Sequence, residues 1–137
     1  MKKISRTKTV QSLVAPMEPS ARRRLLRDGA RANETRDRAF RQVVLSIPPG
    51  KVSTYGRVAA AAGYPQYHRA VARLLRTDPP DSLPWHRVLG VGGEIKLPGE
   101  AATEQRARLR SEGVRFRGDR VDMEASEFPL RSWEVLD

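Results

Sequence analysis

Two histidines and the complete absence of cysteine limit the chemistry that this chain of 137 residues can perform. Without a thiol, the chain cannot form a disulfide, a thiolate metal site or a cysteine nucleophile. The histidines are His68 and His86, and with only two imidazoles and no thiolate we expect no metal and no cofactor. An imidazole can act as a general acid or base. The sequence offers His86 no metal and no activated nucleophile, however, so we expect no catalytic residue.

Hydroxyl and guanidinium groups form a second set of residues, one suited to a polyanion. Ser53, Thr54 and Arg57 gather at the predicted start of a helix, where hydroxyls, backbone amides and a guanidinium can contact phosphate. Arg73 and Arg76 follow on the next predicted helix and are also expected to contact phosphate. These residues favour nucleic acid as a partner.

The distribution of charge points to the same class of partner. Residues 1–38 contain eleven Lys and Arg against four Asp and Glu, whereas the remaining residues contain fifteen against twelve. The net charge of +10 is therefore concentrated in the N-terminal stretch, as is typical of chains that bind polyanions. A basic tail that only improves solubility would have the same composition, so the tail alone does not decide between the two.

The elements that must position these residues are mostly helical. From residue 35, apolar residues recur at helical spacing until Pro48-Pro49-Gly50 ends the helix. A hydroxyl residue then caps a short helix near residue 55, Gly63-Tyr64-Pro65 breaks it, and a second helix runs from about residue 66 to 76. Two short helices joined by a turn that contains Gly predict a helix-turn-helix.

The rest of the chain predicts one more helix and a small hairpin. Residues 100–112 have a helical pattern that Gly113 ends, and two alternating segments on either side of the turn at 117–120 predict a wing. We expect a basic, flexible extension over residues 1–34, a DNA-binding domain over 35–125, and an irregular tail over 126–137 that Trp133 could pin. The predicted fold is mainly α with small β elements, a winged helix-turn-helix-like domain.

Four motifs together resemble a known family over nearly all of residues 39–116. The string IPPGKVSTYGRVA at 47–59 is similar to the start of the DNA-binding domain of O6-alkylguanine-DNA alkyltransferases, their C-terminal domain. Arg69-Ala70-Val71 resembles their Arg-Ala-Val recognition helix, and Pro84–Val88 resembles their Pro-Cys-His-Arg-Val motif, with Trp85 in place of the Cys. Glu112 stands where the family has an orienting Glu. Any one of these motifs would be weak, but their order and spacing make the resemblance specific.

The substitution at Trp85 decides what the resemblance implies about function. Alkyl transfer from guanine O6 needs a strong nucleophile, and in the alkyltransferases this is a thiolate. An indole is far too weak a nucleophile to replace it. Trp in an otherwise intact motif resembles the alkyltransferase-like proteins, which bind O6-alkylguanine without repairing it and direct it to nucleotide excision repair. The chain is therefore expected to be a damage sensor and not an enzyme.

The resemblance also implies roles for individual residues. Base flipping would bring the guanine into a pocket, with Tyr55 crowding the 3′ phosphate and Arg69 filling the vacated space. His86 and Glu112 would form an inherited hydrogen-bonded brace. The residues expected to form the lesion pocket are Tyr55, Pro84, Trp85, His86, Val88 and Gly93. The residues expected to contact DNA are Ser53, Thr54, Arg57, His68, Ala70, Arg73 and Arg76.

Each of these roles has a plainer alternative. Tyr55 and Trp85 could be ordinary core aromatics, and Arg69 could be a solvated charge on an exposed face. The role of Asp78, near an Asn of the alkyltransferases, stays open. A helix-turn-helix or architectural protein without lesion specificity is the main competing function, and a hydrolytic enzyme that uses His86 and Glu112 on water is the weaker one.

Partners and location follow from the same reasoning. We expect double-stranded DNA containing O6-alkylguanine and nucleotide excision repair proteins as partners, and a monomer. The sequence contains no apolar run of the ~20 residues that a membrane helix needs and no secretory signal. A cytoplasmic location, associated with the nucleoid if the protein is bacterial, is expected.

Overall fold

A computed structural model describes residues 18–131 of the chain. The described chain divides into two compact units, one ending at Thr35 and the other starting at Arg36. Five α-helices occur in the described residues: α1 (Pro19–Leu45), α2 (Tyr55–Ala61), α3 (His68–Thr77), α4 (Gly99–Ser111) and α5 (Met123–Ser126). Four short strands accompany them: β1 (Ser53–Thr54), β2 (Val88–Leu89), β3 (Phe116–Arg117) and β4 (Arg120–Val121). Single 3₁₀ turns lie at Trp85–Arg87 and Val91–Gly93.

The helices of the second unit begin and end where local chemistry dictates. Thr54 is the N-cap of α2, and its side-chain oxygen accepts a hydrogen bond from the backbone amide of Arg57 at 3.2 Å. Asp122 caps α5 in the same way, through the amide of Ala125 at 3.3 Å. Gly113 follows α4 with a φ of 85°, in the left-handed region that glycine adopts at little cost. The predictions of a capped short helix, a second helix and a helix ended by Gly113 are confirmed.

Two apolar clusters hold the second unit together. The larger joins the C-terminal part of α1 to α2 and α3 and contains nine buried residues: Phe40, Val44, Ile47, Val58, Ala59, Val71, Leu74, Leu83 and Val88. The smaller lies between α4 and the β3–β4 hairpin and contains Val52, Leu89, Leu109, Val114 and Val121. The adjacent residues Val88 and Leu89 belong to different clusters, so β2 links the two halves of the core.

The strands form two small sheets, one predicted and one not. The β3–β4 hairpin pairs Phe116 with Val121 in antiparallel register, which confirms the predicted wing. The parallel pairing of β1 with β2 was not predicted, because two-residue strands carry no readable alternation of apolar and polar residues. This pairing places the segment before Tyr55 beside the segment after Trp85.

The packed part of the chain continues beyond residue 125. The amide of Val52 donates to the carbonyl of Ser126 at 2.9 Å, and the amide of Phe128 donates to the carbonyl of Val52 at 2.7 Å. Phe128 and Leu130 pack against the larger cluster. Residues 128–130 have no regular secondary structure, as expected of the tail, but backbone pairing and two apolar side chains hold this segment in place. Trp133 lies outside the described residues.

The N-terminal stretch also differs from the expectation. Residues 19–34 belong to α1, where a flexible extension was expected, because Ala, Arg and Leu all favour helix and no proline follows Pro19 before Pro48. Every residue of 18–34 except the half-buried Ala21 is exposed to solvent, which explains why no apolar stripe predicted the helix. Among the described residues, no helix is long and apolar enough to cross a membrane.

Candidate functional site

A cavity of about 400 Å³ lies in the second unit, between α3 and the start of α4. Tyr55 at the start of α2 and Trp85 in the 3₁₀ turn contribute its two aromatic side chains. Its volume is within the range of ~300–1,000 Å³ that small-molecule sites occupy. The remaining lining residues are Ala72, Leu75, Arg76, Asp78, Pro80, Leu97, Pro98, Ala101 and Glu104.

The segment that carries Trp85 is held in place by a buried glutamine of α4. The Gln105 side-chain amide donates to the carbonyls of His86 at 3.2 Å and Val88 at 3.1 Å. Gln105 is 1% exposed, so these bonds are shielded from water. No sequence pattern predicted this contact, because Gln105 lies within an otherwise polar helical pattern and contacts residues 17 and 19 positions away.

Glu112 is the centre of a second hydrogen-bonded network. His86 Nε2 lies 2.8 Å from Glu112 Oε2, and Arg87 Nη2 donates to the same oxygen at 2.7 Å. The amide of Gly50 donates to Glu112 Oε1 at 3.0 Å, and Arg87 Nη1 donates to the carbonyl of Ile47 at 2.9 Å. The brace of two residues suggested by the resemblance is therefore part of a larger network that connects the end of α1, the 3₁₀ turn and the end of α4.

This network shifts the pKa values of its two titratable members. Burial alone would raise the pKa of Glu112, but hydrogen bonds from Arg87, His86 and Gly50 outweigh it and lower that pKa to about 2. Burial lowers the pKa of His86, and the Glu112 carboxylate offsets only part of this effect. At neutral pH the imidazole is therefore uncharged. Because Nε2 then donates to Glu112, Nδ1 carries no proton, and it is buried without a hydrogen-bond partner in the described structure.

Asp78 takes part in an ion pair that the sequence did not reveal. Arg41 of α1 binds it through two bonds, Nε to Oδ2 at 2.7 Å and Nη2 to Oδ1 at 3.1 Å. The hydrogen bond and the charge of Arg41 lower the pKa of Asp78. The pair fixes the end of α3 to α1, and the separation of 37 residues explains why no local pattern predicted it.

The structure brings together only part of the predicted lesion pocket. Tyr55 and Trp85 line the cavity, whereas Pro84, His86, Val88 and Gly93 are not among its lining residues. Val88 is fully buried in the larger cluster, and the Gly93 backbone packs against Val121 of the wing. Of the 3₁₀ turn at Trp85–Arg87, only Trp85 is among the residues that line the cavity.

The predicted DNA-contacting residues differ in accessibility. His68, Arg69, Arg73 and Arg76 of α3 are exposed, whereas Ala70 is half-buried and packs against the larger cluster. Arg76 additionally lines the cavity. One face of α3 therefore presents three arginines and a histidine to solvent.

The residues before α2 are placed differently from the expectation. Ser53 is fully buried, as is its hydroxyl oxygen, and Thr54 is 8% exposed, with its hydroxyl capping α2. This burial, in a strand that pairs with β2, runs against the predicted hydroxyl contacts with phosphate, whereas contacts through the backbone amides stay a prediction. Arg57 is 60% exposed and forms an ion pair with Glu127 at 2.7 Å. In the described part of the chain, no group of three or more His, Cys, Asp or Glu side chains could hold a metal ion.

Comparison with known sequences identifies the family. Residues 35–114 match the sequence profile of the 6-O-methylguanine DNA methyltransferase DNA-binding domain. The match covers more than half of the chain, and the protein therefore belongs to this family. The resemblance noted from the four motifs and the predicted fold class, a mainly helical alkyltransferase-type DNA-binding domain with small strands, are both confirmed.

Individual relatives agree with this assignment. The chain is similar to a DNA base-flipping protein of Vibrio parahaemolyticus, with 47% identity over 73 residues, 53% of this chain and 73% of the relative. It is 45% identical to Alkyltransferase-like protein 1 of Schizosaccharomyces pombe over 74 residues, 52% of this chain and 68% of the relative. The crystal structure of S. pombe Atl1 in complex with damaged DNA containing O6-carboxymethylguanine superimposes with a TM-score of 0.61 and 31% identity, covering 71% of this chain and 97% of that one.

Proposed function

We propose that this protein binds O6-alkylguanine in double-stranded DNA, rotates the damaged nucleotide out of the helix, and leaves the alkyl group in place. One observation carries the proposal: a cavity of about 400 Å³ lies between Tyr55 and Trp85 in a DNA-binding domain of the methyltransferase family. A modified guanine cannot be inspected inside the duplex and must be extruded into such a pocket. Trp85 supplies an apolar face on which the base or its alkyl group can rest.

Nucleotide rotation is assigned to two residues. Tyr55 forms part of the cavity wall, and burial raises the pKa of its hydroxyl, so the phenol is neutral when it approaches a phosphate. Arg69 is exposed near the start of α3, from where it can enter the base stack and bond the unpaired cytosine. Arg73 and His68 on the same helix can contact the neighbouring phosphates.

The absence of alkyl transfer follows from chemistry. Displacement at the alkyl carbon needs a nucleophile beside it, and this chain contains no cysteine. His86 Nδ1 has no hydrogen-bond partner in the described structure, but its neighbour Trp85, at the position assigned to the thiol, has no acidic proton to give. The protein is therefore a binding protein and not an enzyme, and the His86–Glu112 pair has a structural role.

The known relatives support this proposal and extend it. One is named a DNA base-flipping protein, and a solved relative is bound to DNA containing O6-carboxymethylguanine. Because the alkyl group stays on the base, another system must remove it, and the resemblance to alkyltransferase-like proteins indicates nucleotide excision repair. The protein would act as a monomer close to cytoplasmic DNA.

The competing function is a general DNA-binding or architectural protein. The helix-turn-helix interpretation of α2 and α3 and the net charge of +10 would suit it equally well. It gives no reason, however, for a cavity that is lined by two aromatic residues beside the exposed face of α3.

Replacement of Arg69 tests the flipping assignment. In a duplex that carries 2-aminopurine next to O6-methylguanine, unstacking of the bases increases the fluorescence of the 2-aminopurine. Arg69→Ala should reduce that increase and weaken binding to damaged and normal duplexes, because the vacated space is no longer filled. Arg73→Ala removes the same charge from the same helix and should weaken binding while leaving the fluorescence increase intact. Equal fluorescence responses in the two variants would overturn the role of Arg69.

A further inference from the structure

The indole of Trp85 is held by few directional contacts of its own. Its Nε1 is buried and has no hydrogen-bond partner in the described structure. The His86 ring lies edge-on to it, with the two centroids 6.1 Å apart. A buried indole normally uses its N–H to fix its orientation, so another contact has to define the plane of this ring.

Arg108 of α4 makes that contact. Its guanidinium carbon lies 5.3 Å from the centroid of the Trp85 ring, within the ~6 Å over which a cation is attracted to an aromatic face. Trp85 lines the cavity, whereas Arg108 is not among the lining residues. The cation thus supports the ring without occupying the space that a ligand would fill.

The guanidinium is itself held in position by carboxylates. Arg108 Nε and Nη2 both donate to Glu104 Oε2, at 2.9 Å and 2.6 Å. Asp81 Oδ1 lies 3.6 Å from Arg108 Nη2. Glu104 and Arg108 are one helical turn apart on α4, a spacing at which such pairs form readily. Glu104 also lines the cavity, so the pair connects the cavity wall to the face of Trp85.

We propose that Arg108 is a positioning residue for lesion recognition: held by Glu104, it fixes the plane of Trp85 so that the ring is ready to receive an extruded O6-alkylguanine. The proposal rests on the proposed function. An indole that is already oriented loses less rotational freedom when the base stacks on it. Arg108 should therefore contribute to the preference for damaged over normal DNA and not only to general affinity.

A plain phosphate contact is the alternative role for this arginine, and its surroundings argue against that role. Two of its nitrogens bond to Glu104, and its side chain is 35% exposed. A phosphate would have to compete with that carboxylate. Arg106 lies two residues before Arg108 on α4 and makes no cation–π contact with Trp85 in the described structure, so it provides a charge-matched control.

The experiment measures two quantities in four full-length variants: Arg108→Ala, Arg108→Met, Arg108→Lys and Arg106→Ala. The first is the ratio of dissociation constants for an unmodified duplex and its twin with one O6-methylguanine. The second is the emission and acrylamide quenching of Trp85 in a Trp133→Phe background, where it is the only tryptophan. Thermal unfolding establishes that each variant is folded, and the Met variant preserves the packing volume if the Ala variant does not fold.

Arg108→Ala and Arg108→Met should lower the affinity ratio by about two- to fivefold, as expected for loss of a partly exposed cation–π contact. They should also make Trp85 more accessible to quenching, and Arg108→Lys should restore part of both effects. Arg106→Ala should weaken binding to both duplexes equally and leave the emission unchanged. If Arg108→Met behaves like Arg106→Ala, Arg108 does not position Trp85. If the wild-type protein binds both duplexes equally, the proposed function itself is wrong.

Discussion

Among single residues, Arg57 shows that a cationic side chain expected to contact DNA can already be paired with an acidic side chain of the protein. It lies in the first turn of α2, where a phosphate contact was expected, but it forms a 2.7 Å ion pair with Glu127. Glu127 follows α5 and reaches the site because Val52 pairs with this part of the chain. Glu127 therefore reduces the net positive charge at the start of α2.

Removal of that acidic partner should strengthen DNA binding. Glu127→Gln is expected to raise affinity for damaged and undamaged duplexes alike, by about two- to fivefold at low salt, because it frees Arg57 and removes one negative charge. Fluorescence anisotropy titrations on both duplexes would measure this. Glu124→Gln, which removes an equal charge from α5 without an ion pair to Arg57, is the control. An unchanged affinity for Glu127→Gln would mean that Arg57 does not face DNA.

The residues of the site differ in how well sequence could predict them. Tyr55 and Trp85 belong to motifs with defined spacing, and both line the cavity. Arg41, Gln105 and Arg108 could not be found in this way, since their roles come from contacts with Asp78, with the backbone after Trp85 and with the Trp85 ring. No local pattern records such long-range contacts.

At the scale of elements, the glycine turn before α4 depends on close packing against the wing. Gly93 has a φ of 86°, and a Cβ at this position would fall on the carbonyl oxygen of Val121 in β4. Gly118 in the hairpin also has a positive φ, of 60°, but a Cβ there would meet open space. Both positions therefore carry the backbone strain of a positive φ, but only Gly93 adds a steric clash with a neighbouring strand.

Replacing each glycine by alanine should give different losses of stability. Gly118→Ala is expected to lower the free energy of unfolding by about 1 kcal/mol, the cost of a left-handed conformation. Gly93→Ala should cost about 3 kcal/mol or more, because the wing backbone must also move. Urea denaturation at neutral pH measures both values. Equal losses in the free energy of unfolding would show that β4 can move at little cost and that packing against the wing does not hold the turn.

The basic segment of α1 offers a second prediction at this scale. Arg23, Arg27 and Arg31 are exposed and four residues apart, so they form a stripe on one helical face with a rise of ~6 Å between neighbours. A stripe of cations suits a row of phosphates. If it contacts DNA, exchange of all three for Gln should reduce the slope of log affinity against log salt by about 2 to 3.

Exchange of the same three arginines for Lys keeps the charge and should preserve the slope. Titrations at several salt concentrations would compare the two triple variants. If the Gln variant keeps the wild-type slope of log affinity against log salt, the stripe does not contact DNA and serves solubility.

The elements themselves were only partly predictable. Apolar residues at helical spacing and turn residues predicted α2, α3, α4 and the hairpin, because those elements bury one face. The first half of α1 buries almost nothing, so it gave no periodic signal. The β1–β2 pair is too short for one, yet it brings Tyr55 and Trp85 to the same cavity.

At the scale of the whole molecule, the Glu112 network connects parts of the chain that are far apart in sequence. It joins Gly50, His86 and Arg87 to the end of α4. The pKa of Glu112 falls from its ordinary value of 4.5 to about 2 on folding. A lowered pKa means that the carboxylate contributes stability above pH 4.5 and loses that contribution as the pH falls toward 2.

Acid should therefore destabilise the wild-type protein partly through Glu112. Between pH 4.5 and pH 2, the loss should include about 3 kcal/mol from this residue. Glu112→Gln should be less stable at pH 7, since Arg87 loses its carboxylate partner, and its stability should depend less steeply on pH over that range. Denaturation by urea at several pH values would show this, with the exposed-turn variant Asp119→Asn as control. An equally steep acid dependence in Glu112→Gln would contradict the assignment.

The proposed function requires that this member of the methyltransferase family recognises an alkylated guanine and leaves it unrepaired. The most direct measurement uses one duplex with a single O6-methylguanine and its unmodified twin. Protein is titrated against both at fixed salt, and the recovered DNA is then analysed for the methyl group. We predict tighter binding to the damaged duplex with the methyl group fully retained. Equal binding to both duplexes would show that the protein does not recognise the lesion, and loss of the methyl group would show that it repairs it.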